Sequence, residues 1–152
     1  MPKSMTGYGR ASAQDVNWTL SWEIRSLNNR HLDLKWKIPS TLYAHQKNWE
    51  NEVRAVANRG GVALYLGLKI LNPELQSLSL DTAMAGSMLK ELGRLAESLG
   101  APFAPDLNRL MGIPSLWRET GSIDNPQLVE SLTETLKAAL RDWDEARARE
   151  GL

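Results

Sequence analysis

Cysteine is absent from this 152-residue chain. Its absence excludes a thiol nucleophile, a zinc knuckle, an iron–sulfur site and a disulfide scaffold, and it suits a reducing cytoplasm. Histidine occurs only at His31 and His45, too few for a histidine-built metal centre. No apolar run approaches the roughly 20 residues of a membrane-spanning helix, and residues 1–10 lack the apolar stretch of a signal peptide. Excess charge is missing too, since 18 Lys and Arg balance 18 Asp and Glu. There is no P-loop, no Rossmann fingerprint and no HExxH segment.

What remains is an ordinary globular composition, 42% hydrophobic and 24% charged, in a chain long enough to bury a core without staples. The neutral total hides an asymmetry. Residues 1–70 carry 10 Lys and Arg against 5 Asp and Glu, whereas residues 71–152 carry 8 against 13. A basic first half points to an anionic partner. Equally, the two halves could attract each other or another copy.

Hydrophobic periodicity predicts the elements. Residues 5–11 read as a glycine-containing strand, and 14–17 as a turn. Trp18, Leu20, Trp22 and Ile24 alternate with polar residues, as in a half-buried strand. Asn28-Asn29-Arg30-His31 interrupts the pattern, which resumes at Leu32, Leu34, Trp36 and Ile38 until Pro39 ends it. Ser40 or Thr41 is placed to cap a helix beginning near Leu42, with Leu42, His45, Trp49, Val53 and Val56 on one face. Asn58-Arg59-Gly60-Gly61 stops that helix, and Val62 to Ile70 alternate as a further strand.

The second half predicts helices. Asp81 caps one whose apolar face is Met84, Met88, Leu92, Leu95 and Leu99, ending at Gly100. A short helix fits 107–111. Asn125-Pro126 opens a last helix with Leu128, Leu132, Leu136, Ala139, Leu140 and Trp143 along one stripe. The expected fold is α+β: an antiparallel four-stranded sheet from the order β-β-β-α-β, with one face covered, followed by a helical extension. The expected division is 1–80 for the sheet domain and 81–152 for the helical part.

Candidate chemistry is sparse. Gly7-x-Gly9 precedes no helix, so close approach of two backbones explains it better than phosphate binding. Asn28, Asn29, Arg30 and His31 gather amides and a guanidinium between two strands. Such groups grip phosphate oxygens or base edges, and the same residues also suit a polar hairpin turn in which asparagine takes positive φ. Arg25, Lys35 and Lys37 extend a basic strip on the polar side of the strands, interrupted by Glu23 and Asp33. Arg59 follows the first helix, where it faces either the helix end or an anion. Asp142, Asp144, Glu145 and Glu150 could supply oxygen ligands to a metal, but Arg141, Glu145 and Arg149 are spaced for ion pairs along the helix. The tryptophans fall on apolar stripes and read as core, except Trp117.

The residues also carry a resemblance. Ser4-Met5-Thr6-Gly7-Tyr8-Gly9-Arg10, Trp22-Glu23-Ile24-Arg25-Ser26-Leu27-Asn28-x-Arg30-x-Leu32-Asp33 and Pro39 resemble the N-terminal region of the YicC family of bacterial proteins. Arg59-Gly60-x-Val62 falls where that family carries Arg-Gly-Lys, and Arg147-x-x-Glu150-Gly151 resembles its Arg-x-x-Glu-Gly element. The resemblance implies metal-dependent endoribonucleases that work as homo-oligomers in the cytoplasm, and it makes this chain the N-terminal part of a longer protein. It implies RNA as partner, with Arg25, Asn28, Arg30, Arg59, Lys35 and Lys37 as RNA-binding residues. A divalent metal is implied for the full-length enzyme, and Glu150 is the one carboxylate here that matches a family motif. The competing expectation is a non-catalytic oligomerisation or protein-interaction module.

Overall fold

The computed structural model describes residues 5–75, 78–119 and 123–150. Four strands form the main sheet: β1 (Gly7–Gln14), β2 (Trp18–Leu27), β3 (Leu32–Lys37) and β4 (Gly60–Ile70). A 3-10 turn at Ser40–His45 leads into α1 (Gln46–Arg54) between β3 and β4. The later elements are β5 (Leu78–Leu80), α2 (Thr82–Leu99), α3 (Leu107–Leu110), β6 (Trp117–Glu119) and α4 (Pro126–Glu150). The chain divides into two compact units, one of residues 1–76 and 122–152, the other of residues 77–121. The long α4 thus packs with the sheet, although it lies beyond residue 80.

The sheet is mixed, not antiparallel throughout. Its order is β1-β2-β4-β3; β1 and β4 each pair antiparallel with β2, but β3 pairs parallel with β4. The reason is the connection: β3 and β4 are joined through α1, and a helical crossover returns the chain in the same direction. It follows that 28–31 is no hairpin turn. β4 lies between β2 and β3, so these four residues span the start of a strand, about 10 Å across two inter-strand spacings. They close it as well, because the Gly60 amide donates to the His31 carbonyl at 3.3 Å. Among the described residues no non-glycine has positive φ, so the asparagines do not serve as left-handed turn residues. Gly60, at φ 112°, takes that role where the chain enters β4.

The alternation of β2 holds as expected. Trp18, Leu20, Trp22 and Ile24 are buried, with Val62 and Leu64 of β4 beside them. Leu42, Trp49 and Val53 cover this face from the α1 side, and Leu128, Leu132, Leu136, Ala139, Leu140 and Trp143 cover it from α4. Val56, expected in that layer, is exposed. The capping expectation also fails, since neither Ser40 nor Thr41 makes a side-chain cap; the N-cap position is Pro39, and the tighter 3-10 turn precedes α1.

Tryptophan stitches α4 to the sheet and to α1. Trp22 Nε1 donates to the Leu132 carbonyl at 2.9 Å, Trp49 Nε1 to Thr133 Oγ1 at 3.0 Å, and Trp143 Nε1 to Ser26 Oγ at 2.8 Å. Trp22 meets the Trp36 and Trp49 rings edge to face, at 6.1 and 5.3 Å. The stripe of α4 is therefore consumed inside the chain and offers no apolar face to another copy. β1 is an edge strand, but α4 screens it: the Arg10 amide donates to Asp142 Oδ2 at 3.0 Å.

In the second unit β5 and β6 pair antiparallel. Asp81 caps α2 through the Met84 amide at 3.0 Å, and Gly100 closes it at φ 66°, both as expected. Asp81 also pairs with Arg118 at 2.7 Å. The apolar face of α2 is not buried as its periodicity suggests; Leu95 is 54% exposed and Leu99 70%. Trp117 stays partly exposed, its Nε1 donating to the Met111 carbonyl.

Candidate nucleic-acid interface

The face of the sheet opposite the helices is open. The same period of two that buries Trp22 and Ile24 turns Glu23 and Arg25 outward. Strand register aligns these positions in rows. Tyr8, Arg25, Ala63 and Lys35 lie side by side across β1, β2, β4 and β3. The next row holds Arg10, Glu23, Tyr65 and Lys37. Leu27, Gly61 and Asp33 form the row on the other side. Four cations thus share a face with two carboxylates.

Between these rows lies a shallow depression of about 510 Å³. Gly61 and Ala63 are in its lining, and neither carries a large side chain. Arg25, Asn28, Asn29, Asp33, Lys35 and Tyr65 surround it. Arg25 and Lys35 flank Ala63 from neighbouring strands, about 10 Å apart at their backbones.

Arg25 is held in place. Its Nε donates to Glu23 Oε1 at 2.7 Å, and its guanidinium lies 5.6 Å from the centre of the Tyr8 ring. The bonded Glu23 carboxylate raises the arginine above its ordinary pKa, so its charge is fixed at any working pH. The pair runs along one strand, not across two. Lys35, Lys37 and Asp33 form no ion pair with described residues.

The expected residues therefore divide. Arg25, Asn28 and Lys35 come together around the depression, and Lys37 lies on the same face one row along. Arg30 and Arg59 sit in the segments leading into β3 and β4, exposed but outside the depression's lining. Tyr8 and Tyr65, respectively 45% and 41% exposed, were not singled out in the sequence. The available signal was their place on the polar side of an alternating strand, where a large aromatic ring is out of character.

Glu150 lies elsewhere, at the end of α4, where its Oε2 accepts from Thr6 Oγ1 at 3.2 Å. The other motif residues gather nearby and tie the chain together. Arg147 is 7% exposed, stacks 3.7 Å from the Trp143 ring centre, donates to the Val56 carbonyl at 3.1 Å and pairs with Asp144. Ser26 Oγ accepts from Trp143 and donates to the Met5 carbonyl at 2.6 Å. The Arg141–Glu145–Arg149 ladder does not form; α4 uses Asp142 and Asp144 instead. Among the described residues no three carboxylates or imidazoles are grouped to hold a metal.

Together these features define a small α+β sheet domain, one face sealed by helices and the other open, cationic and aromatic. The chain belongs to the YicC-like endoribonuclease family, whose N-terminal region matches residues 3–152. It is 24% identical over 152 residues to a probable endoribonuclease YicC of Clostridioides difficile (strain 630). That alignment covers 99% of this chain and 52% of the relative, so the chain spans about half of the relative's length. Among the described residues no helix is long and apolar enough to cross a membrane.

Proposed function

We propose that this chain is an RNA-engaging part of an endoribonuclease, and that the open sheet face carries the contact. The observation behind this reading is the row Tyr8–Arg25–Ala63–Lys35, which sets one cation on each side of Ala63 beside an exposed ring. Guanidinium and ammonium groups at this spacing suit successive phosphates, and Arg25 is preoriented by Glu23 and Tyr8. Asn28 contributes an amide at the edge, and Lys37, Arg30 and Arg59 extend the positive field beyond it.

Cleavage is proposed for the whole protein. Because no three carboxylates or imidazoles are grouped among the described residues, no metal-assisted step is assigned to them, and Glu150 is read as a tether for Thr6. Assembly into homo-oligomers and a cytoplasmic location are proposed from the family resemblance. The first finds no support in the α4 stripe, which is buried; the second accords with the lack of cysteine.

Titration of the purified chain with a single-stranded RNA at several salt concentrations tests the reading. Phosphate-dominated binding weakens steeply as salt rises. The paired change Arg25→Ala with Lys35→Ala is expected to flatten that dependence. Salt-insensitive binding, or a paired variant that binds like the parent while folded, would contradict it.

A further inference from the structure

We infer that the depression on the open face takes one unpaired nucleobase, stacked against Tyr65, so that the face selects single-stranded over duplex RNA. This rests on the proposed RNA reading and goes beyond it, because phosphate contacts alone do not distinguish a single strand from a duplex by its bases.

The lining argues for a base and against a phosphate. Gly61, Ala63, Leu27 and Val62, none with a polar side chain, make up the apolar part of the lining. Tyr65 also lines it, and aromatic rings stack any base because every base has a π-face. Asp33 opens onto the same space. A carboxylate there repels a phosphate but accepts hydrogen bonds from base N–H groups. The amides of Asn28 and Asn29, also in the lining, offer both donors and acceptors to a base edge. Arg25 and Lys35 stand at opposite sides, where they meet the phosphates flanking a base seated between them. A base within a duplex has its edge paired and both faces stacked, so it cannot enter.

The test compares two oligomers of equal length and equal charge: a ten-residue oligoadenylate and a ten-residue strand of abasic ribose phosphates. The parent chain is expected to bind the oligoadenylate about tenfold more tightly at low salt, the scale of one stacked base. Tyr65→Phe keeps the ring and should keep that ratio. Tyr65→Ala should bring the oligoadenylate down to the abasic strand while leaving the abasic strand unchanged. Ala63→Leu, which adds bulk to the lining, should do the same. The oligoadenylate annealed to oligouridylate should bind no better than the abasic strand.

Equal affinity of the parent for both strands would overturn the inference, as would a folded Tyr65→Ala chain that preserves the ratio. Either result leaves phosphate binding intact. Failure of the abasic strand to bind at low salt would count instead against the RNA reading itself. The two failures are therefore distinguishable.

Discussion

Gly9 of β1 and Trp143 of α4 are packed backbone against backbone. A Cβ on Gly9 would lie 2.5 Å from both the amide nitrogen and the Cβ of Trp143, and 2.6 Å from the Ala139 carbonyl oxygen. Gly9 and its neighbour Gly7 are the two glycines of the motif that begins the family resemblance. Their role is to let a helix lie on an edge strand.

Gly9→Ala is therefore expected to destabilise the protein by about 2–3 kcal/mol, the usual cost of forcing atoms into a filled core. The obstructing atoms belong to helix backbone and cannot move aside cheaply. Gly86→Ala is the control. Nothing lies within 4 Å of its would-be Cβ in the α2 interior, so a gain of up to about 1 kcal/mol is expected from helix propensity. Urea unfolding measures both.

Arg147→Ala should cost about 3 kcal/mol, because it removes a buried guanidinium from the Trp143 ring, the Val56 carbonyl and its ion pair with Asp144. The loss should appear as lower stability, with RNA affinity kept under conditions where the variant remains folded. A variant of unchanged stability would show that Arg147 is not a structural clamp.

Asp81→Ala removes the α2 cap and the partner of Arg118, and should destabilise the second unit by about 1 kcal/mol. Hydrogen exchange resolves the effect. Amides at the start of α2 should lose protection, while those of β2 and β4 keep theirs.

Much of this was legible in the sequence. The alternation from Trp18 to Ile24 and the cap at Asp81 report local geometry, and the structure keeps both. Alternation does not report which strand lies next door. The insertion of β4 between β2 and β3 therefore escaped it, although a helix between two strands was itself a sign of parallel pairing. Helical periodicity likewise marks a face without naming its cover. The stripe of α4 is sealed by the sheet, and the equally regular face of α2 is exposed. At the candidate site, Arg25, Asn28 and Lys35 were found by their charge and polarity. Tyr65 was not, because its importance comes from register with Glu23 and Lys37 on other strands.

Photo-crosslinking of the folded chain to a 4-thiouridine-bearing single strand, followed by peptide mapping, measures directly where RNA lies. Adducts are expected within β1, β2 and β4, in the peptides that carry Tyr8, Arg25 and Tyr65, and they should fade as salt is raised. Adducts confined to α4 or to residues 78–119, with the open sheet face unmarked, would contradict an RNA-binding sheet.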